Sequence, residues 1–79
     1  MKQVLYDIAT AIVNNPDKVT INEKESGDTT ILNLMVDESD LGKVIGKQGR
    51  IAKAIRTVVK AVANSDGKRV IVDISENED

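Results

Sequence analysis

Two glycines separated by only two polar residues, Gly46 and Gly49, connect two helical patterns in the middle of this 79-residue chain. Glycine at both ends of so short a connection allows backbone conformations that other residues rarely adopt. The longer helical pattern begins at Arg50, so the connection leads into a helix N-terminus, whose unpaired N–H groups and dipole attract anions. The sequence therefore predicts a tight helix–loop–helix turn that a sugar–phosphate backbone can approach closely.

Apolar residues along the chain repeat at helical spacing in some segments and at strand spacing in others. The predicted order is helix, strand, strand, helix, helix, strand. Because three strands need cover on one face and three helices can supply it, we predict a two-layer α+β domain. The six segments comprise residues 2–13, 19–22, 31–36, 41–45, 50–63 and 70–74.

Turn and cap residues separate these segments. Pro16 ends the first helix, since the residue before a proline is pushed out of the helical region. Residues 26–28 read Ser-Gly-Asp, which predicts a hairpin turn. Residues 37–40 offer acidic and hydroxyl side chains suited to capping a helix. We expect a single domain over residues 1–79, with a disordered acidic tail at residues 76–79.

The longest helical pattern is apolar on one side and basic on the other. Alanines and Val59 widen the apolar side to about half of the helix circumference. This apolar side is wider than one core stripe needs. Its additional residues either extend the core, line a base-binding groove or form a dimer contact, and the sequence leaves these alternatives open. Lys60 on the basic side is either a solvated residue or part of a binding surface. The predicted central stripe consists of Ile51, Ile55, Val58 and Val62.

The distribution of charge favours a nucleic-acid partner although the net charge, −2, does not. Residues 43–60 contain 6 of the 11 basic residues and no Asp or Glu, which leaves 5 basic against 13 acidic residues elsewhere. The segment is therefore +6 and the remainder −8, so one basic face can meet phosphate groups. The candidate phosphate contacts are Lys43, Lys47, Arg50, Lys53 and Arg56.

The residue types that are missing exclude several classes of function. The chain has no Cys and no His, so it lacks disulfides, the usual zinc ligands and a nucleophile–base pair. We therefore expect no enzymatic activity, no metal and no cofactor. The sequence shows no apolar core of a signal peptide and no segment long enough to span a bilayer, and we expect a cytoplasmic protein without membrane insertion.

A partial likeness to the phosphate-binding P-loop lies at residues 42–48. The two glycines in it are separated by three residues instead of four, and Gln48 stands where the motif needs a hydroxyl for Mg²⁺. No predicted strand leads into this segment. Nucleotide hydrolysis is therefore rejected.

Tyr6 is the only aromatic residue of the chain. RRM, OB and cold-shock domains stack bases on several aromatic side chains, which this sequence cannot supply. An aliphatic groove beside a loop that binds the backbone is the remaining familiar way to hold single-stranded nucleic acid.

Residues 44–51, Val-Ile-Gly-Lys-Gln-Gly-Arg-Ile, resemble the signature of KH domains. The predicted order of elements is that of the bacterial, type II form, in which three helices cover a three-stranded mixed sheet. The likeness extends over essentially the whole chain, which is similar to the small single-KH proteins of the bacterial KhpA family.

This resemblance implies a single-stranded RNA-binding protein, without catalysis, that acts as a bacterial RNA chaperone or post-transcriptional regulator and affects cell shape. It also implies a homodimer and a heteromer with a second, KhpB-like KH protein. By the same resemblance, about four nucleotides are held against the loop residues Gly46, Lys47, Gln48 and Gly49. The groove residues are Val44, Ile45, Ile51, Ala52 and Ile55, with a further wall from a strand that the sequence does not identify.

An alternative function is a module for dimerisation or protein recruitment in which RNA binding is secondary. The intact glycines and the basic residues Lys47 and Arg50 favour RNA binding, although the two uses can coexist. Single-stranded DNA also stays open as a ligand, because no residue identifies a contact to a 2′-hydroxyl.

Overall fold

The computed structural model describes residues 1–65 and 67–77 of the chain. Its elements follow the predicted order and form an α+β domain. The strands are longer than predicted, because polar residues continue the pairing beyond the alternating apolar positions. The helices and strands are α1 (Lys2–Ile12), β1 (Thr20–Ser26), β2 (Thr29–Val36), α2 (Leu41–Ile45), α3 (Arg50–Ser65) and β3 (Arg69–Glu76).

The three strands form one mixed sheet in the order β1-β2-β3. β1 and β2 are antiparallel, and Ser26 pairs with Thr29 across a two-residue turn in which Gly27 has φ 63°. β2 and β3 are parallel, with Leu32 opposite Val72. Because α2 and α3 lie between β2 and β3 in the chain, this crossover brings the glycine loop to the side of the sheet where β3 is the edge strand.

The hydrophobic core lies between the helices and one face of the sheet. Leu32, Leu34 and Val36 of β2 are completely buried, which confirms the prediction that they share one face. From the helical layer, α1 contributes Leu5 and Ala9. The central strand is thus the best covered, and the glycine loop is attached to a packed scaffold.

The buried face of α3 is rotated relative to the predicted stripe. The residues that face the sheet are Ala52, Ile55, Val59 and Ala63. Of the predicted centre, Ile51 and Val58 are instead 40% and 47% exposed. The apolar arc is wider than the strip that the sheet can cover, and the small alanines allow the helix to lie close to the sheet. The larger side chains at its margin therefore remain outside the core.

Asp40 does not cap α2, contrary to the prediction for residues 37–40. Its side chain is buried and accepts hydrogen bonds from the backbone N–H groups of Asn14 at 3.1 Å and Asn15 at 3.0 Å. The side-chain amide of Asn15 donates a third bond, also at 3.0 Å. Asp37 does act as a cap, accepting from the N–H of Ser39 at 3.1 Å. Asp40 therefore joins the segment after α1 to the start of α2.

Hydrogen bonding determines the charge of this carboxylate. Burial by itself would raise the pKa of Asp40, but the hydrogen bonds from Asn14 and Asn15, together with the positive charge of Lys43, outweigh that effect. The pKa of the folded state is consequently below the ordinary value of 3.8. The stability that Asp40 contributes is fully present above the pKa of the unfolded state and is lost as the pH falls through the folded pKa.

We expect Asp40→Asn to lower the melting temperature clearly at pH 7 and less at pH 3, because the stability that the Asp40 carboxylate contributes begins to be lost once the pH falls below the unfolded-state pKa. Thermal unfolding followed by circular dichroism at both pH values measures this difference. Asp17→Asn, which changes an exposed carboxylate, is the control and should differ little from wild type at either pH. An Asp40→Asn deficit that is the same at pH 3 and pH 7 would contradict the account.

The end of β3 overlaps the tail that was predicted to be disordered. Glu76 is the last residue of the strand, and the N–H of Asn77 donates to the carbonyl of Val36 at 2.8 Å. The side chain of Asn77 also donates to the carbonyl of Lys18 at 2.7 Å. Residues 78–79 of the predicted tail lie outside the described residues.

Candidate nucleic-acid interface

The loop between α2 and α3 reverses the chain within four residues. Gly46 ends α2, donating its N–H to the carbonyl of Gly42 at 2.8 Å, and has φ 76° and ψ 175°. Gln48 and Gly49 also have positive φ, at 57° and 74°. The N–H of Gly49 donates to the carbonyl of Gly46 at 3.2 Å, which closes the turn. Lys47 and Gln48 stand exposed at its tip.

The two glycines are required for different reasons. A Cβ atom on Gly46 would lie 2.6 Å from Cγ1 and 2.8 Å from Cβ of Ile51, which is too close for two carbon atoms. Its φ and ψ also fall in a region that is essentially restricted to glycine. A Cβ atom on Gly49 would meet no heavy atom within 4 Å, so only its positive φ favours glycine there. Gly46 therefore fixes the start of α3 against α2.

Basic side chains surround the loop but differ in how they are engaged. The guanidinium of Arg50 donates through Nη2 to Oε1 of Gln48 at 3.2 Å, which holds it over the tip. The ammonium of Lys43 lies 3.6 Å from Oδ1 of Asp40, so its charge is partly offset. Lys47 is exposed at the tip itself. The strongest uncompensated positive potential of the loop thus lies at Lys47 and Arg50, beside the first turn of α3.

Arg56 connects α3 to the edge strand. Its side chain is half-buried, and Nε donates to the backbone carbonyl of Val72 in β3 at 2.9 Å. Lys53, one turn earlier, is exposed. The structure therefore identifies β3 as the strand beside the basic face of α3, which the sequence could not do. Arg56 already uses one of its donors within the protein, and the remaining guanidinium N–H groups are the ones that a ligand can meet.

The five predicted groove residues do not share one surface. Val44 is completely buried, and Ala52 and Ile55 are nearly so, which places these three mainly in the core. Ile45 is half-buried at the end of α2, beside the loop. Ile51 faces the opposite side of α3, where it lines a shallow cleft against α1. The surface between the loop, Ile45 and the edge strand β3 is here called the loop-side groove, and the three buried residues belong to the core.

Two general features bear on the class of function. No group of three or more His, Cys, Asp or Glu side chains within the described ranges is placed to hold a metal ion. No helix in the part of the chain that the structure describes is both long and apolar enough to cross a membrane.

Solved structures with a similar fold come from Era. The chain superposes with a TM-score of 0.68 on a point variant of Aquifex aeolicus Era bound to GDP and AlF4⁻, covering 99% of this chain and 31% of that one at 16% identity. A second Era structure, in complex with MgGDPNP and nucleotides 1506–1542 of 16S ribosomal RNA, gives a TM-score of 0.65 over 95% of this chain and 29% of that one. At this identity the likeness establishes the fold, which is that of one part of the larger protein.

Sequence relatives cover the chain almost completely. A protein of Clostridium acetobutylicum named RNA-binding protein KhpA is 55% identical over 94% of this chain and 99% of its own length. Proteins of the same name from Caldanaerobacter subterraneus subsp. tengcongensis and Aquifex aeolicus are 54% and 46% identical over 94% and 96% of this chain, and over 99% and 96% of their own lengths. All three carry the name of an RNA-binding protein.

The family model described as KhpA/KhpB, KH domain, matches residues 2–74, which include the loop, its flanking helices and all three strands up to Ile74. The chain belongs to the KhpA/KhpB family of KH domains.

Proposed function

We propose that the protein binds single-stranded RNA by clamping the sugar–phosphate backbone with residues 46–49. The observation that carries this proposal is the loop geometry, in which positive φ values at Gly46, Gln48 and Gly49 reverse the chain and leave Lys47 and Gln48 exposed beside the start of α3. The relatives named RNA-binding protein KhpA and the Era structure with bound ribosomal RNA support the same class of ligand.

In the proposed mode of binding, phosphates and bases lie on opposite sides of the loop-side groove. Phosphates meet the loop N–H groups and the side chains of Lys47 and Arg50, while Lys53 and Arg56 extend the basic surface along α3. Lys43 contributes less, because Asp40 offsets its charge. Bases rest against Ile45 and the edge of β3. Binding is reversible and involves no chemical step, and a site for about four nucleotides gives weak affinity on the order of micromolar.

Fluorescence anisotropy with a labelled octanucleotide tests this function. We expect binding of single-stranded RNA whose log affinity falls linearly with log salt, by about 0.7 for each phosphate contact. The same sequence in a duplex should bind clearly more weakly, because the tight loop accepts one backbone whose bases are exposed. No binding of the single strand at low salt, or equal binding of the duplex, would contradict the proposal.

The proposal includes a homodimer formed through the outer face of α1 and α3. This apolar patch consists of Ile8, Ile12, Ile51, Ala54 and Val58, which line a continuous cleft of 440 Å³ together with Arg50 and Ile55. Three of its large side chains are more than one third exposed. Contiguous exposed apolar surface of this kind commonly marks a contact with another protein. The patch lies on the side of α3 away from β3, so a dimer leaves the loop-side groove open.

We expect Val58→Glu to convert a dimer into a monomer, because the change introduces a charge at the centre of the apolar patch. Sedimentation velocity over a range of protein concentrations measures the change. Tyr6→Glu is the matched control, since Tyr6 is 41% exposed and lies outside the patch, whereas Val58 is 47% exposed. If the two variants have the same sedimentation coefficient as wild type at every concentration, the patch is not a dimer interface.

The same patch supports the alternative function as a protein-recruitment module. A heteromer with a KhpB-like KH protein would use it in place of a second copy of this chain. We assign the protein a cytoplasmic role as an RNA chaperone or post-transcriptional regulator that affects cell shape, and this part of the proposal rests on family membership alone. A Val58→Glu variant that loses self-association and partner binding but keeps its affinity for RNA would show that the two functions occupy separate surfaces.

A further inference from the structure

A polar stripe continues along α3 well beyond the loop. Lys53, Arg56, Lys60 and Asn64 belong to this helix, and at helical periodicity they lie within an arc of about 80° of its circumference. The bond from Arg56 to the carbonyl of Val72 shows that this arc faces β3. The stripe therefore follows the boundary between α3 and the edge strand, and it reaches the end of the domain farthest from the loop.

An open cleft lies where the stripe meets the start of β3. It has a volume of 370 Å³ and lies between the C-terminal half of α3 and the first residues of the two parallel strands. Lys60 and Arg69 bring positive charge to it from two different elements, and no carboxylate lines it within the described part of the chain. The lining residues are Thr29, Lys60, Asn64, Arg69, Val70 and Ile71.

The cleft combines the groups that a nucleotide needs. Two cations suit phosphate, and the amide of Asn64 and the hydroxyl of Thr29 can donate to or accept from the edge of a base. Ile71 is 49% exposed, although it is a large aliphatic residue, and it lies next to Val70 in the lining of the cleft. A purely solvated helix face would explain Lys60 alone, but not its convergence with Arg69 and an exposed isoleucine on one cleft.

The position of the cleft relates it to the loop. Lys60 lies about three helical turns beyond Gly49, which corresponds to roughly 16 Å along the helix axis. Arg56 lies between the two and provides a positive charge along the way. A strand that leaves the loop-side groove in this direction reaches the cleft without crossing the acidic surface of β1, which is at the other edge of the sheet.

We infer that the cleft between Lys60, Asn64 and Arg69 is a second RNA subsite, which binds one or two nucleotides beyond those held by the loop. This inference rests on the proposed function and specifies its extent. The loop alone fixes a short segment of the strand, and the second subsite adds affinity only for longer single strands. The dependence of affinity on the length of the RNA strand therefore distinguishes the second subsite from the loop site.

The test compares a tetranucleotide with an octanucleotide of the same repeating sequence, measured by competition in fluorescence anisotropy. The variant is Lys60→Gln/Arg69→Gln, in which both residues are exposed and the fold should be kept. The control, Lys2→Gln/Lys24→Gln, removes the same charge from α1 and from β1, the strand at the opposite edge of the sheet. A longer strand can bind in more than one position along its sequence, which by itself raises the apparent affinity. The control variant measures this increase between tetranucleotide and octanucleotide.

We expect the variant to bind the tetranucleotide like the control but to bind the octanucleotide about tenfold more weakly, with a salt dependence lower by about 1.4 for two lost phosphate contacts. Equal octanucleotide affinities of variant and control would overturn the second subsite while leaving the loop site intact. Failure of the wild type to bind either RNA would instead overturn the proposed function.

Discussion

Lys47→Asp/Gln48→Asp lowers the affinity for single-stranded RNA by about 100-fold, which corresponds to about 2.7 kcal/mol. The change replaces the exposed cation at the tip of the loop and places two carboxylates where the phosphates should lie. It also gives Arg50 a carboxylate partner in place of the amide oxygen of Gln48, which offsets a second positive charge. Fluorescence anisotropy measures the loss, and the slope of log affinity against log salt should become shallower.

The double variant should keep its fold. Both side chains are exposed, and Gln48 has φ 57°, a left-handed backbone that aspartate tolerates. Asn22→Asp/Lys24→Asp in β1 is the matched control, because it changes the net charge by the same amount on exposed positions away from the loop. A control that loses as much affinity as the loop variant would mean that net charge, rather than the loop, determines binding.

Gly46→Ala destabilises the domain by about 2–4 kcal/mol, because it combines a backbone region reserved for glycine with a steric overlap. The overlap is between the new Cβ and Ile51. Gly49→Ala costs only about 1–2 kcal/mol, the typical penalty of a left-handed conformation. No steric clash adds to that penalty at Gly49. Urea unfolding followed by circular dichroism measures both values. Since stabilities of small domains are about 5–15 kcal/mol, the first change removes a substantial part of the total.

The comparison between the two glycines tests whether Gly46 has the stricter requirement. Both positions have positive φ, but only Gly46 is shown to combine a backbone region that is essentially restricted to glycine with a close neighbour. The structure predicts a larger loss at Gly46, where Ile51 occupies the space that a side chain needs. Equal losses at the two positions would contradict the contact between Gly46 and Ile51.

The order of elements was predictable because each segment has a clear period. In β2, strict alternation placed Leu32, Leu34 and Val36 on one face, and the structure buries all three. The strand boundaries were less predictable. β1 continues through the polar residues to Ser26, since backbone pairing with β2 does not depend on an apolar side chain at every second position.

The rotation of α3 could not be read from its sequence. Its apolar arc spans residues that pack on the sheet, such as Val59, and residues that stay exposed, such as Val58. Both are valines on one helix, and only the position of the sheet distinguishes them. For the same reason the predicted groove mixed Val44, which belongs to the core, with Ile51, which faces α1.

Long-range polar contacts were also beyond sequence reasoning. Asp40 precedes a helix and has the residue type of a cap, yet it binds Asn14 and Asn15, which are distant in the chain. Arg56 has the pattern of a solvated cation, yet it donates to the carbonyl of Val72. Local periodicity gives no information about such partners, because they depend on the tertiary fold.

The most direct test of the central claim, that the loop is the RNA clamp, is an NMR titration of ¹⁵N-labelled protein with a single-stranded octanucleotide. Clamping predicts that the largest amide shift changes lie at residues 46–50 and along the β3 side of α3, and that Lys47→Asp/Gln48→Asp abolishes them at the same RNA concentration. Shift changes confined to the apolar patch, or unchanged in the loop variant, would contradict the account and leave the recruitment module as the better description of this domain.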